Sequence, residues 1–128
     1  MPFSLITYQD RVLEIKDSRA VDVIEYFAKA VSDFLSVSDL PQQHAWLRQA
    51  ICEWQRECEL APGCKVFRLD PWLSGPSRSS ALREFCTFVA KKIRTSAPTS
   101  EEVLAHECER IAELVQSSQG NHAPDPGG

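Results

Sequence analysis

Hydrophobic residues recur at intervals of three and four positions in four stretches of the chain, a spacing typical of amphipathic helices that share a core. The predicted helices cover residues 18–36, 40–60, 79–95 and 99–118. The hydrophobic face of the first helix is formed by Val21, Ile24, Phe27, Ala28, Val31, Phe34 and Leu35. No stretch is hydrophobic all the way round, so each helix should keep one face in water.

Local signals predict where the second and fourth helices begin and end. Asp39 is placed to cap the second helix, with Pro41 in its first turn, and the Pro-Gly pair at 62–63 ends it. Thr99 and Glu102 match the spacing of a capping box at the start of the fourth helix.

Residues 3–16 carry a different pattern, rich in β-branched and aromatic side chains with Gln9 and Asp10 at the centre. This pattern predicts a β-hairpin, although Gln-Asp is not a favoured sequence for a two-residue turn. A further short strand is predicted at 66–69, followed by a turn-rich loop at 70–77.

These elements predict a mostly α (α+β) fold with a four-helix core, a small N-terminal β-hairpin and an irregular loop between the second and third helices. Residues 1–118 are expected to form a single helical domain. Residues 119–128 offer no apolar content to bury, so this tail is predicted to be disordered.

Composition narrows the class of protein. The 128 residues are 43% hydrophobic and 25% charged, as is ordinary for a globular chain. No apolar run approaches the roughly 20 residues needed to span a membrane, and the N-terminus has no secretory signal pattern. We therefore expect a cytoplasmic protein without membrane association. Its five cysteines, an odd number, are then expected to be thiols.

Charge is unevenly distributed along the chain, although the net charge is only −4. Residues 61–98 hold seven cations and two anions (+5) between two acidic segments, 17–60 (eight anions, four cations) and 99–128 (six anions, one cation). The acidic net charge and the absence of a helix-turn-helix, zinc-finger or RNP pattern make nucleic acid an unlikely partner.

The most distinctive charged pattern lies on the fourth helix. At 100° per residue, Glu102, His106, Glu109 and Glu113 fall within a sector of about 60°, opposite the hydrophobic face. Because this stripe points outward and no other helix supplies a matching Glu-x-x-His, no metal site is predicted. The three carboxylates could instead meet a basic surface on a partner and speed its association.

A tryptophan in a Pro/Gly-rich loop is the second feature to interpret. Trp72 and Leu73 could fold back as a lid on the helices, or Trp72 could be an exposed interface anchor beside Asp70. The segment that follows lacks the P-loop pattern, so nucleotide binding is not predicted.

The remaining candidate chemistry rests on cysteine and histidine. Cys52 lies on the polar side of its predicted helix, and a thiol- or metal-dependent enzyme using Cys52 with His44 or His106 is the alternative hypothesis. No known catalytic motif surrounds these residues. A self-associating adaptor or subunit is a further alternative, because the sequence leaves the oligomeric state open.

The sequence therefore predicts a non-enzymatic module, without cofactor or metal, that binds a protein partner with a basic surface. The most specific hypothesis is an immunity or antitoxin-type protein, because such inhibitors need only a rigid and often acidic surface. The expected contact residues are Asp70, Trp72, Glu102, Glu109 and Glu113.

Overall fold

The computed structural model describes residues 3–60, 65–96 and 98–122, with the side chains of Leu60 and of residues 117–122 excepted. The predicted fold class is confirmed: four helices form the bulk of the described chain, and a small sheet lies beside them. The elements are β1 (Phe3–Tyr8), β2 (Arg11–Lys16), α1 (Asp17–Val37), α2 (Trp46–Leu60), β3 (Val66–Arg68), α3 (Pro76–Ser96) and α4 (Glu102–His122).

The sheet has three strands in the order β2-β1-β3. The predicted hairpin forms β1 and β2, with Gln9 in the left-handed region at φ 57°. The short strand β3 joins the other side of β1 in parallel, with Ile6 opposite Phe67. The sequence predicted this strand but not its partner, because a parallel pairing across two intervening helices has no local signal.

One continuous hydrophobic core connects the four helices to the inner face of the sheet. At its centre the Phe85 ring lies 5.0 Å from that of Phe27 and 5.2 Å from that of Phe34, in tilted and edge-on arrangements that aromatic pairs favour. These three rings tie α1 to α3, so the predicted hydrophobic faces of both helices meet as expected.

The start of α2 differs from its prediction. The helix begins at Trp46, and Asp39 does not cap it. Instead the Ser38 hydroxyl accepts a hydrogen bond from the Leu40 N–H (3.0 Å), and the His44 N–H donates to the Leu40 carbonyl (3.1 Å). Residues 41–45 thus form a separate turn, because the Ser38 hydroxyl accepts the hydrogen bond of a backbone N–H that a helix cap would otherwise accept.

The last two helices also differ at their ends. The helix α3 begins at Pro76, three residues early, which suits a proline because its missing N–H is not needed there. The predicted capping box of Thr99 is absent: residues 99–101 form a 3₁₀ turn without a side-chain cap. The helix α4 runs to His122 rather than Ser118, and residues 123–128 of the predicted tail lie outside the described part of the chain.

A buried ion pair joins the sheet to the first helix. The Lys65 side chain is only 2% exposed, and its ammonium donates to Asp17 Oδ1 at 2.7 Å. The Ser4 hydroxyl donates to the same oxygen, also at 2.7 Å. The pKa of Asp17 is lowered, first by the hydrogen bond from Lys65 and then by that from Ser4. One carboxylate therefore binds β1, the start of α1 and the residue that leads into β3.

We predict that Asp17→Asn destabilises the fold by about 3 kcal/mol, because it leaves the buried Lys65 ammonium without this carboxylate. Since the Asp17 pKa is lower in the folded chain, its contribution is complete above an unfolded pKa of about 4 and is lost as the pH falls through the folded value. Urea denaturation followed by circular dichroism should therefore show a shallower loss of stability below pH 4 in the variant. The exposed turn variant Asp10→Asn is the control, and equal acid profiles in both variants would contradict the assignment.

Candidate protein-binding surface

The acidic stripe of α4 faces outward, as the helical spacing predicts, but its own chain already engages part of it. Arg94, on the last turn of α3, donates from Nε to Glu102 at 2.8 Å. Its two terminal nitrogens donate to the two oxygens of Glu109, at 2.5 and 3.1 Å. This guanidinium therefore bridges two of the three carboxylates that the sequence assigned to a partner.

The electrostatics of this cluster follow from the bridge. The hydrogen bonds from Arg94 lower the pKa of Glu109, and the hydrogen bonds to Glu109 and Glu102 raise the pKa of Arg94. Glu113 is exposed and has no hydrogen bond or ion pair among the described residues. Of the stripe, Glu113 is the carboxylate that remains uncompensated on the surface.

His106 extends the stripe but does not build a metal centre with it. Its side chain is 66% exposed, and its Nδ1 lies 3.8 Å from Glu109 Oε1, beyond hydrogen-bond distance. Within the described residues no group of three or more His, Cys, Asp or Glu side chains could hold a metal ion. The expectation of a metal-free protein stays a prediction.

Asp70, the predicted loop contact, has a structural partner. Its Oδ1 accepts a hydrogen bond of 2.8 Å from the Gln9 backbone N–H at the tip of the hairpin. Gln9 is the residue with positive φ, a conformation that costs a non-glycine residue roughly 1–2 kcal/mol. Asp70 therefore helps to hold a strained turn, which explains why Gln-Asp serves where Asn-Gly would be usual.

Trp72 packs partly on the core, as the lid alternative predicts, and its role as an interface anchor stays a prediction. Leu73 is buried in the core, and Trp72 is half-buried and packs against it. The Trp72 N–H and carbonyl are both used, in hydrogen bonds with the Leu69 carbonyl and the Arg78 side chain. Backbone hydrogen bonds therefore hold the loop at Trp72, and the residue also lines a cleft.

That cleft is open, has a volume of about 540 Å³ and lies between α2 and β3. Glu53 and Glu57 line it from α2, and both are exposed. Val66 and Arg68 of β3 line the opposite wall beside Trp72. Glu53 and Glu57 were not among the contact residues predicted from the sequence, although their i, i+4 spacing places them on one helical face. Nothing in the sequence showed that Trp72 would lie near them.

A second open cleft of about 710 Å³ lies between α3 and the end of α1 with the turn that follows it. Val37 and Leu40 expose hydrophobic side chains there, and Glu84 and Lys91 line the same space. Charges of both signs line each cleft, Asp39 and Glu84 with Lys91 here and Glu53 and Glu57 with Arg68 in the first, so the feature that distinguishes the first cleft is Trp72.

A buried carboxylate on α4 is another feature that the sequence analysis missed. Glu107 is 3% exposed and accepts from Arg110 at 2.7 Å and, more weakly, from Arg19 at 3.4 Å. Arg110 also donates to the backbone carbonyl of Glu14 in β2, at 3.2 Å. Glu107 thus holds the Arg110 side chain against the outer edge of the sheet.

The cysteine–histidine alternative gains no support from the contacts of these residues. Cys52 is exposed, the Nδ1 of His44 lies 3.1 Å from the Ser38 hydroxyl, and the His44 ring stacks on Phe34. Neither His44 nor His106 forms a hydrogen bond or an ion pair with Cys52 among the described residues.

Two of the other thiols are sealed in the core. Burial raises the pKa of Cys108 to about 12 and that of Cys86 well above its ordinary value. Such thiols are unreactive, because the thiolate is the nucleophilic form.

Comparison of the chain with protein-family models, with curated proteins and with solved structures found no match. None of the helices in the described ranges is long and apolar enough to cross a membrane.

We predict that Arg94→Gln raises the pKa of Glu109 towards its ordinary value, because the guanidinium is the main cause of its depression. Carboxyl-detected NMR titration of the wild-type and variant proteins measures the change directly. Lys91→Gln, on the same helix but without an ion pair to α4 among the described residues, is the matched control. An unchanged Glu109 midpoint in Arg94→Gln would show that the bridge does not form in solution.

We also predict that iodoacetamide modifies Cys52 in the native protein while Cys86 and Cys108 react only on unfolding. Mass spectrometry of the digested protein at successive times, with and without urea, measures each site. Rapid native labelling of Cys86 or Cys108 would contradict the buried positions of these thiols.

Proposed function

We propose that this protein is a non-enzymatic binding module that recognises a protein partner with a basic surface. In its most specific form, the proposal is an immunity or antitoxin-type inhibitor that covers the functional surface of that partner. Trp72 would be the anchor, and carboxylates on α2 and α4 would attract the partner.

The observation that carries the proposal is the position of Trp72 at the wall of the cleft beside Glu53 and Glu57. Tryptophan is one of the residue types enriched at binding hot spots, together with tyrosine and arginine. Neighbouring exposed carboxylates would speed the association of a basic partner and favour it over acidic ones. The acidic face beside the aromatic loop is thus that of α2, and no residue of the α4 stripe predicted from the sequence lines this cleft.

The acidic helix face in this proposal is that of α2 as well as α4. Glu102 and Glu109 are bridged by Arg94, so their field is partly cancelled before a partner arrives. Glu113 on α4 and the pair Glu53 and Glu57 on α2 have no such cation among the described residues. We therefore assign the larger electrostatic contribution to the α2 carboxylates.

The experiment is capture of partners on the immobilised protein from a lysate of its own cells at low salt, followed by titration of the captured partner. We predict that Trp72→Ala weakens that binding by about 2 kcal/mol or more, as for a hot-spot tryptophan, while Trp72→Phe retains most of it. Glu53→Lys combined with Glu57→Lys should slow association and flatten its salt dependence. Glu84→Lys, the same charge change at the other cleft, should leave the association rate within about twofold.

Each folded variant is first compared with wild type by circular dichroism. Binding that survives both the Trp72→Ala change and the double Glu→Lys change would rule out this surface as the site of recognition. A captured partner that is acidic would contradict the electrostatic part of the proposal.

A further inference from the structure

The two edges of the sheet differ in what they leave for another strand. In the parallel pairing of β1 with β3, the Leu5 N–H donates to the Lys65 carbonyl (2.8 Å) and the Leu69 N–H donates to the Thr7 carbonyl (2.9 Å). This register turns the N–H and C=O groups of Val66 and Arg68 away from β1. Among the described residues, these outward groups have no hydrogen-bond partner.

The opposite edge, on β2, is covered at Glu14. The Arg110 guanidinium donates to the outward carbonyl of Glu14 and is held in place by the buried Glu107. A charged side chain lying on a strand edge blocks the approach of another strand. The edge of β3 has no comparable cover among the described residues.

Space beside the open edge is already present. The cleft of about 540 Å³ separates β3 from α2, so an added strand would lie between Val66 and Arg68 on one side and the helix on the other. Successive side chains of that strand would point alternately to the outer face, beside Val66, and inward, towards Trp72 and the α2 carboxylates. The outer face therefore favours hydrophobic side chains on the added strand, and the inner face favours basic ones.

We propose that an extended segment of the protein partner docks here as a fourth strand beside β3, with hydrophobic side chains alternating with lysine or arginine. This inference rests on the proposed function and names its mode of recognition. The outer positions join Val66, which is 44% exposed, and Phe3, which is 43% exposed, on the outer face of the sheet. At the inner positions, the hydrocarbon stems of the lysine or arginine side chains pack against Trp72, and their cationic ends lie near Glu53 and Glu57.

The α2 carboxylates favour this occupant over a second copy of the chain, which would add two more carboxylates to the cleft for one more exposed cation, Arg68. A second β3 would bring its own α2, and with it another Glu53 and Glu57, towards the first pair. Those like charges would repel, whereas a basic strand would compensate them. Backbone pairing supplies affinity at such an edge, and the alternating side chains supply specificity.

The first test uses a heptapeptide of alternating valine and arginine with blocked ends, observed by hydrogen exchange in NMR. At saturating peptide, the amide protons of Val66 and Arg68 should exchange at least about tenfold more slowly, because they become hydrogen-bonded. The Phe67 amide, already committed to β1, should change little. Absence of binding at millimolar peptide, or binding without protection of Val66 and Arg68, would overturn the inference.

Backbone methylation of the peptide tests strand pairing without altering the protein. One version carries N-methyl groups on the valines and the other on the arginines, so each blocks one edge of the peptide strand. One version should bind about tenfold or more weakly and the other within about twofold of the parent peptide. The version that loses binding identifies the direction of the added strand. Equal affinities for the two versions would overturn the inference.

A protein variant separates this inference from the proposed function. Val66→Pro removes an outward N–H and spares the bonds to β1, as proline on an edge strand does, and Val66→Thr is its control. Partner binding that depends on Trp72 but is unchanged in a folded Val66→Pro variant would leave the proposed function standing and overturn strand addition. Protection of Val66 and Arg68 by dimerisation, without peptide, would also overturn it.

Discussion

The buried contact of Lys65 with Asp17 is the interaction on which the position of β3 depends. An ammonium that is almost fully enclosed is stable only with an opposite charge at close range, and Asp17 is fixed by the Ser4 hydroxyl and by its place at the start of α1. Because Lys65 directly precedes β3, satisfying its charge brings that strand to β1. The cleft between β3 and α2, and the placement of Trp72 beside it, follow from this arrangement.

Much of the fold could be predicted from the sequence because helix and hairpin patterns are local. The 3.6-residue period located all four helices, and the same geometry correctly placed Glu102, His106, Glu109 and Glu113 on the outside of α4. The ends of the helices were predicted less accurately, since the start of α2 depends on a competition between Ser38 and a helix cap. The parallel pairing of β3 was not predictable, because it is decided by residues about 50 to 60 positions apart in the chain.

The candidate site shows the same division between local and long-range information. The period of two along residues 65–69 places Lys65 on the inner side with Phe67 and Leu69, yet burial of a lysine is expected only if a carboxylate is known to lie nearby. Arg94 could be seen to favour the end of α3, but not to lie across from Glu102 and Glu109. Glu107 lies at the border of the hydrophobic face of α4, where only the tertiary arrangement supplies its arginine partners.

The unequal protection of the two sheet edges is difficult to explain by folding alone. An exposed strand edge favours aggregation, and covering it removes that liability. Here a buried carboxylate is retained on α4 to hold Arg110 over β2, although burying charge gains little stability by itself. The edge of β3, which is short and borders a cleft with charged walls, is left open among the described residues. A cover at Glu14 on one edge and none on β3 is the pattern expected if β3 is kept for a partner, because a short strand inside a cleft admits a single chain but excludes a flat sheet.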